Sequence, residues 1–345
     1  MKDSTQNEEG LVAIIVATMI MIIMSLVVLG FARIMQREQR QALDKTLSTQ
    51  AFYSAESGIN DAVTRIHDTT QPPLADKQTC DTSNDSVKNP SGLIGSVDPN
   101  IDTGYTCLLI NNTPKTLEYT QKSITTAAST IVPIRGAADE IITKAELSWD
   151  EGSSTSAFRS CPGTSLPIAT SWTNSPGILR VDLIPADGGI TRANLISGAM
   201  NAYLYPSASC GTNSFAYGSY TGTNAGQIVS VHCLNNATPH ECVATITGIN
   251  MKYFFVRMKS IYNASNVTVR IFDSSNTQLA IKGAQVELDT TGRVADVIRR
   301  IQVRIPLKPT YQIPDSALET TLGICKQLSV VPNVSATQSA ACNSF

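Results

Sequence analysis

The feature that most constrains this chain is an apolar run near its N-terminus, Leu11 to Ala32, which contains no charged side chain. At a rise of about 1.5 Å per residue, a helix over this run measures about 33 Å, whereas the hydrocarbon core of a bilayer is about 30 Å thick. A secretory signal peptide has a basic start, a shorter apolar core and a small-residue cleavage site, and this segment fits none of these. The sequence therefore predicts a retained membrane-spanning helix.

The helical pattern continues beyond the apolar run, with no proline before Pro72 and many strong helix formers. Apolar residues then recur at spacings of three and four, which places them on one face of a helix. We expect one helix over residues 11–67, apolar all round in its first half and amphipathic in its second, with His67 as a cationic end residue. The stripe on the second half consists of Leu43, Leu47, Ala51, Ala55, Ile59, Val63 and Ile66.

The remaining chain has the composition of a folded, disulfide-bearing head. Of the 345 residues, 42% are hydrophobic and 16% are charged, and a net charge of −2 argues against a phosphate-binding surface over the whole protein. An even number of cysteines, all beyond the helix, suits disulfides in an oxidising compartment. Eight cysteines allow many connectivities, and the sequence does not choose among them. Nearest-neighbour pairing is one of these, and it gives Cys80–Cys107, Cys161–Cys210, Cys233–Cys242 and Cys325–Cys342.

The fold class that these patterns predict is α+β, with a β-rich head behind the helix. Residues 68–137 are expected to be a loop-rich connector, with a hairpin of Tyr105–Ile110 and Thr116–Thr120 around Asn111–Pro114. Residues 138–250 are expected to be a β-rich subdomain or insertion, and 326–345 a tail stapled by its disulfide. Period-two patterns within 251–325 favour an antiparallel meander with a turn at Asp289–Gly292. Its strands are Tyr253–Ile261, Val267–Phe272, Ala284–Leu288 and Val297–Leu307.

The last of these strands alternates between an apolar and a basic face. Its apolar face, Ile301, Val303, Ile305 and Leu307, is where we expect helix residues 43–66 to dock, so that the helix packs on the sheet. Basic residues are expected on the outer face of the meander, where they would form a solvated face, a contact with neighbouring subunits or a DNA-binding stripe. They are Arg257, Lys259, Arg270, Arg299, Arg300 and Arg304.

Candidates for metal or catalytic chemistry are few. His232, Cys233, His240 and Cys242 have zinc-ligand chemistry, but their spacing matches no familiar zinc finger, and a Cys233–Cys242 disulfide explains the same residues. Asp98, Asn100 and Asp102 have the alternating spacing of a calcium loop without its later glutamate, so an Asx-rich turn is the competing interpretation. The sequence has no nucleophile elbow, phosphate loop or zinc-protease motif. We therefore predict neither an enzyme nor a resident metal or cofactor.

Two short segments resemble a known family. Asn7-Glu8-Glu9-Gly10 before the apolar run resembles the start of type IV pilins and pseudopilins, and Ala51-Phe52-Tyr53-Ser54-Ala55-Glu56-Ser57-Gly58-Ile59 resembles the signature of PilX-like minor pilins. The resemblance implies that residues 1–10 are a leader, that a prepilin peptidase cuts between Gly10 and Leu11, and that the new N-terminus at Leu11 is methylated. It also implies a single-pass protein of the cytoplasmic membrane that later joins other pilins in an extracellular pilus.

The chain departs from the pilin pattern in two ways. Most pilins carry glutamate at the fifth mature position, but Ile15 stands there in this sequence, which favours a minor or tip-located subunit. The leader is acidic, whereas Arg33, Arg37, Arg40 and Lys45 follow the apolar run, so the positive-inside rule alone would put the head in the cytoplasm. The cysteines and the signature favour a head outside the cell.

Three functions remain open from the sequence. The first is a minor or tip-located pilin-like subunit that assembles through its helix and has no small-molecule substrate. The second is a tip adhesin in which residues 150–250 contact a host surface, a glycan or DNA. The third is a membrane-anchored extracytoplasmic domain unrelated to pili.

Overall fold

The structure is a computed structural model that describes residues 6–68, 74–80, 96–98, 103–121, 129–150, 172, 176–192, 194–233 and 242–307. It contains one long helix, α1, over Gln6–His67, which confirms the single helix expected from the sequence and its end at His67. The portion from Ala13 onward is long and apolar enough to cross a membrane, and its most apolar window is not buried by the rest of the chain.

Fourteen strands within the described residues form three sheets. The strands are β1 Ser96–Asp98, β2 Thr103–Asn111, β3 Leu117–Gln121, β4 Thr130–Arg135, β5 Ile142–Asp150, β6 Ile178–Pro185, β7 Met200–Ser207, β8 Ser214–Ala216, β9 Gln227–His232, β10 Cys242–Met251, β11 Tyr253–Ile261, β12 Ser265–Phe272, β13 Gln285–Val294 and β14 Val297–Pro306. The docking sheet has the order β1-β2-β13-β14, the β5 sheet has the order β3-β12-β5-β10-β8, and the β6 sheet has the order β4-β11-β6-β7-β9. Neighbouring strands are antiparallel except for β8 with β10 and β7 with β9.

The β5 and β6 sheets pack face to face as a sandwich. Alternating apolar residues from both sheets form the largest core cluster, as period-two patterning requires. Trp149 lies in this core, and its indole N–H donates to the carbonyl oxygen of Gly177 at 3.0 Å, which satisfies its one polar atom. The head is therefore β-rich, and with α1 the fold is α+β, as predicted.

The docking sheet is attached to the sandwich through a buried glutamine. The side chain of Gln285 on β13 accepts a hydrogen bond from the Glu118 backbone N–H at 3.0 Å and donates one to the Glu118 carbonyl oxygen at 2.6 Å. It thereby pairs with β3 as a neighbouring strand would. Arg304 on β14 adds a hydrogen bond to the Thr116 carbonyl oxygen at 2.6 Å, so β13 and β14 both hold the chain at the β3 edge.

The predicted hairpin between Tyr105–Ile110 and Thr116–Thr120 is wrong. Strand β2 pairs with β1 and β13 in the docking sheet, whereas β3 pairs with β12 in the β5 sheet. The segment between them crosses from one sheet to the other and is held by Asn112, whose backbone N–H donates to Asp76 at 2.6 Å. The side-chain amide of Asn112 donates to the Leu74 carbonyl oxygen at 2.5 Å. Partners that lie far away in sequence therefore replace the local pairing.

The predicted four-strand meander is also wrong, apart from its last pair. Strand β11 lies in the β6 sheet and β12 in the β5 sheet, and the short connection between them, where Tyr262 has φ of 74°, passes from one layer of the sandwich to the other. Strands β13 and β14 do form a hairpin. Its turn is at Ala295-Asp296, where Ala295 has φ of 53°, and not at Asp289–Gly292.

The segment Asp289–Gly292 has the composition of a turn but lies inside β13. Asp289 accepts a hydrogen bond from the Arg300 Nε–H at 2.7 Å on the neighbouring strand, and Thr290 is fully buried beneath α1. These contacts outweigh the local turn preference. Strands β5 to β10, most of them from the predicted β-rich insertion, lie in the same two sheets as β3, β4, β11 and β12. The predicted tail, 326–345, lies outside the described residues.

Candidate assembly helix and distal groove

The second half of α1 packs against the docking sheet through very small residues, as the predicted docking requires. Ala51, Ala55 and Ala62 are fully buried there. Gly58 lies so close to the sheet that a Cβ atom at this position would stand 2.6 Å from Thr290 Cγ2 and 2.8 Å from the Tyr105 ring. Helix and sheet therefore approach each other as closely as their backbones allow.

The sheet contributes a matching glycine, Gly292 on β13. A Cβ atom there would lie 2.1 Å from the Ala51 carbonyl oxygen and 2.4 Å from the Ala55 nitrogen, which are both backbone atoms of α1. Farther along the helix, the Tyr105 hydroxyl donates to Asp61 at 3.3 Å. Burial raises the pKa of Tyr105 above its ordinary value, and the Asp61 charge raises it further, so the phenol stays a donor at neutral pH.

Most of the predicted stripe on α1 is in contact with the head. Ile59 is buried with β2 and β13, while Val63 and Ile66 pack against the same cluster together with the apolar residues of β14. Leu43 is an exception, because 58% of its surface is exposed and it stands below the docking sheet. Contact with the head begins near Ser48, whose hydroxyl accepts a hydrogen bond from Arg299 at 2.8 Å.

From Ala13 onward, the first half of α1 is exposed and is not buried by the described part of the head. Its large apolar side chains from Ile14 to Met35 are exposed, including Ile15, the residue at the position where most pilins carry glutamate. Gly10 and Leu11, the predicted cleavage and methylation residues, lie within the helix. An apolar helix exposed along about half its length needs lipid or other helices around it, because water solvates it poorly.

Two of the expected disulfides join described residues. Cys80 is bonded to Cys107, which fixes the connector to β2, and Cys233 is bonded to Cys242, which links the two sandwich sheets between β9 and β10. The Cα–Cα distances are 5.5 and 4.4 Å. Cys210 is disulfide-bonded as well. Its predicted partner Cys161 lies outside the described residues, as does the Cys325–Cys342 pair.

The metal candidates do not form a site in the described part of the chain, which contains no group of three or more His, Cys, Asp or Glu side chains suited to a metal ion. Cys233 and Cys242 cannot supply thiolates to zinc because their sulfur atoms are bonded to each other. His232 ends β9, and His240 lies outside the described residues. Of the calcium candidates, Asp98 ends β1, whereas Asn100 and Asp102 lie outside the described residues.

The predicted basic stripe does not exist as one surface. Arg257 and Lys259 lie in the β6 sheet, Arg270 lies in the β5 sheet, and Arg299, Arg300 and Arg304 lie in the docking sheet. Four of these cations pair with carboxylates: Arg257 with Asp182, Arg270 with Glu146, Arg300 with Asp289, and Arg304 with Glu118 and Glu287. The positive charge is therefore dispersed and largely neutralised, and it does not form a track for DNA.

A groove of about 920 Å³ lies where the ends of β4 and β6 meet the start of β11. Pro133, Tyr253 and Ile190 contribute apolar surface to it. On its rim, Asp139 accepts hydrogen bonds from Arg135 at 2.6 Å and from Lys282 at 2.7 Å. The hydrogen bond from Lys282, followed in strength by the one from Arg135, holds the pKa of Asp139 below its ordinary value. The Asp139 carboxylate on the rim therefore stays ionised.

The groove lies on the side of the head away from the apolar half of α1. Strand β13 contacts Ala51 through Gly292, near the apolar half of α1. From there toward its first residue, Gln285, the strand runs alongside the later turns of the helix, away from the apolar half. Gly283, which lines the groove, lies two residues before Gln285 and therefore at this far end. The sequence did not indicate this groove because its lining comes from segments that are distant along the chain. The Asp187-Gly188-Gly189 turn, whose two glycines have φ of 74° and 101°, was the one local signal there.

Comparison with known proteins gives one match. Residues 9–60 match the family model described as PilX N-terminal, a span that covers the exposed first half of α1 and most of the part that packs on the head. No curated protein matches the chain, and no solved structure matches it either.

Proposed function

We propose that this chain, whose residues 9–60 are a type IV pilin-like domain of the PilX type, is a minor or tip-located subunit of a type IV pilus or a related filament. Before assembly it is anchored in the cytoplasmic membrane by the first half of α1. A prepilin peptidase removes residues 1–10, Leu11 is methylated, and the helix then exchanges lipid for the helices of other pilins. The β head stands outside the cell, and the role is assembly rather than catalysis.

The observation that carries this proposal is the division of one continuous helix into two unlike halves. The apolar half is exposed over more than four turns, and the second half is fixed to a folded head by Ala51, Ala55 and Gly58. The head therefore cannot move independently of the segment that leaves the membrane. Rigid attachment of this kind suits a subunit whose helix is transferred into a bundle, and the disulfides suit a head in an oxidising compartment.

Gly10→Val is expected to block processing. In cells that also express a prepilin peptidase, the parent chain should lose residues 1–10 and gain one methyl group, as measured by the intact mass of the purified protein, whereas the variant should keep both its leader and its membrane location. Gly30→Val is the matched control, because Gly30 is a helical glycine with open space around it. A parent chain that remains uncut would contradict the proposal and favour a plain membrane-anchored domain.

A tip adhesin is the second candidate, favoured by the position of the groove on the side of the head away from the membrane. An apolar floor with a charged, hydrogen-bonding rim suits a polar ligand such as a surface glycan. Deleting residues 150–250 would not test this idea, because the deletion would remove β6 to β10 from both sandwich sheets. Point substitutions at the rim avoid that damage.

Ile190→Arg is expected to reduce attachment of piliated cells to their target surface about tenfold, by placing a long charged side chain in the apolar part of the groove, while filament number stays unchanged. Ile196→Arg is the matched control, because Ile196 lies in the same connection, is 63% exposed and does not line the groove. Cell counts on the surface and filament counts by electron microscopy are the two measurements. Equal attachment by both variants would remove the groove from consideration.

A further inference from the structure

Three arginines follow the apolar run on one face of α1. Arg33, Arg37 and Arg40 are spaced by four and three residues, so they lie within about one sixth of the helix circumference. Eleven residues, about three turns, separate Arg40 from Ala51. The arginine stripe (Arg33, Arg37 and Arg40) therefore lies on the same side of the helix as the head, directly between the head and the end of the apolar run.

The height of this stripe matches the headgroup layer of a bilayer. If Ala32 marks the edge of the hydrocarbon core, Arg33 stands about 1.5 Å above it, Arg37 about 7.5 Å and Arg40 about 12 Å. The polar layer on each side of a bilayer is about 5–7.5 Å thick. Helical side chains lean toward the N-terminus of their helix, which is the membrane side here, and a long arginine stem can reach back farther. All three guanidinium groups can therefore reach the phosphate level.

The stripe also has unused binding capacity. All three residues are exposed. Within the described part of the chain, none of them forms an ion pair. Even Arg40 does not pair with Asp44, although Asp44 lies only one helical turn away. Six arginines of the head differ in this respect, because each has a carboxylate partner. They are Arg135, Arg180, Arg257, Arg270, Arg300 and Arg304. The guanidinium fork suits bidentate binding of phosphate.

We propose that Arg33, Arg37 and Arg40 bind the phosphate groups of anionic phospholipids in the leaflet on the head side of the membrane. This inference rests on the membrane-anchored state in the proposed function. Bound lipid fixes the depth of the helix and keeps Ser48, where contact with the head begins, about 24 Å above the hydrocarbon edge. Release of these lipids accompanies transfer of the helix out of the membrane.

The test is native mass spectrometry of the full chain, released in detergent from membranes that contain phosphatidylglycerol and phosphatidylcholine. We expect the parent chain to retain phosphatidylglycerol preferentially, and Arg33→Gln, Arg37→Gln and Arg40→Gln together to lower that retention at least about tenfold. The corresponding triple lysine variant keeps the charge but loses the fork, so it should lie between the two. Adding inorganic phosphate at equal concentration should leave retention unchanged if the complete lipid is the ligand.

The matched control replaces three head cations, with Lys77→Gln, Lys115→Gln and Arg192→Gln, and should retain phosphatidylglycerol as the parent does. Resistance to carbonate extraction is measured on every variant, so that failure of membrane insertion, which would contradict the proposed function, is separated from failure of lipid binding. Equal retention by the inserted glutamine triple variant and the parent would overturn the inference. Equal loss in the head-cation control would also overturn it, because the effect would then depend on overall charge.

Discussion

Replacing Gly292 with alanine is expected to detach the second half of α1 from the docking sheet. The added methyl group would lie 2.1 Å from the Ala51 carbonyl oxygen and 2.4 Å from the Ala55 nitrogen, distances that no Cβ atom tolerates. Both neighbours are helix backbone, so no side chain can rotate to make room. Relief requires that the helix move away from the strand, which would open the contacts that bury Ala55 and Ile59.

The expected loss is about 3 kcal/mol in the free energy of unfolding, measured by chemical denaturation of the full chain in detergent. Hydrogen exchange at residues 51–62 should rise in the same variant. Gly218→Ala is the matched control, because no heavy atom lies near the position of its added methyl group, and its effect should be within about 0.5 kcal/mol. If both variants unfold at the same denaturant concentration, the close helix–sheet approach described above is incorrect.

Replacing Asp182 with alanine is expected to produce the second large effect. Asp182 is buried on β6 and accepts hydrogen bonds from Arg257 on β11, from Asn201 on β7 and from Arg180 at 3.3 Å. It therefore ties three neighbouring strands of the β6 sheet together through one carboxylate. Its removal leaves Arg257, which is largely buried, without this counter-charge, and removing one partner of a buried ion pair is costly.

We expect Asp182→Ala to lower the free energy of unfolding by about 3 kcal/mol, at the lower end for buried pairs because both arginines keep some contact with water. A double-mutant cycle with Arg257→Gln should show that the two losses are not additive, since both break one interaction. Asp139→Asn is the matched control, because that carboxylate bridges two cations at a site that is 42% exposed, and its effect should be far smaller. Equal effects at the two positions would contradict the assigned role of Asp182.

The helix is the part of the fold that the sequence could predict, because its signals are local. An uncharged run, the absence of proline and a spacing of three and four residues all act within one segment, and the observed helix ends at His67 as these signals indicate. The stripe also predicted the docked face correctly, apart from Leu43. That residue has the right angular position but lies below the sheet, and spacing along a helix cannot show where its partner begins.

Strand positions were predicted better than strand partners. Period-two patterns located β11, β12 and β14, because alternation depends on one strand and its own two faces. The pairing of β2 with β13, or of β3 with β12, depends on residues more than 140 positions apart, and the sequence offers no local sign of it. Short turn-like connections suggested hairpins, but the connection after β11 crosses between the layers of the sandwich.

By itself, the sequence determined the membrane-length helix, the amphipathic second half and the PilX-type signature, because each is a property of consecutive residues. The tertiary structure alone decided that Asp289–Gly292 is a strand under the helix and not a turn, and that six arginines of the head pair with carboxylates across three sheets. It also decided that a groove exists on the side of the head away from the membrane. The physical reason is that burial, ion pairing and close approach depend on which segments meet, and that is settled by the whole packed head.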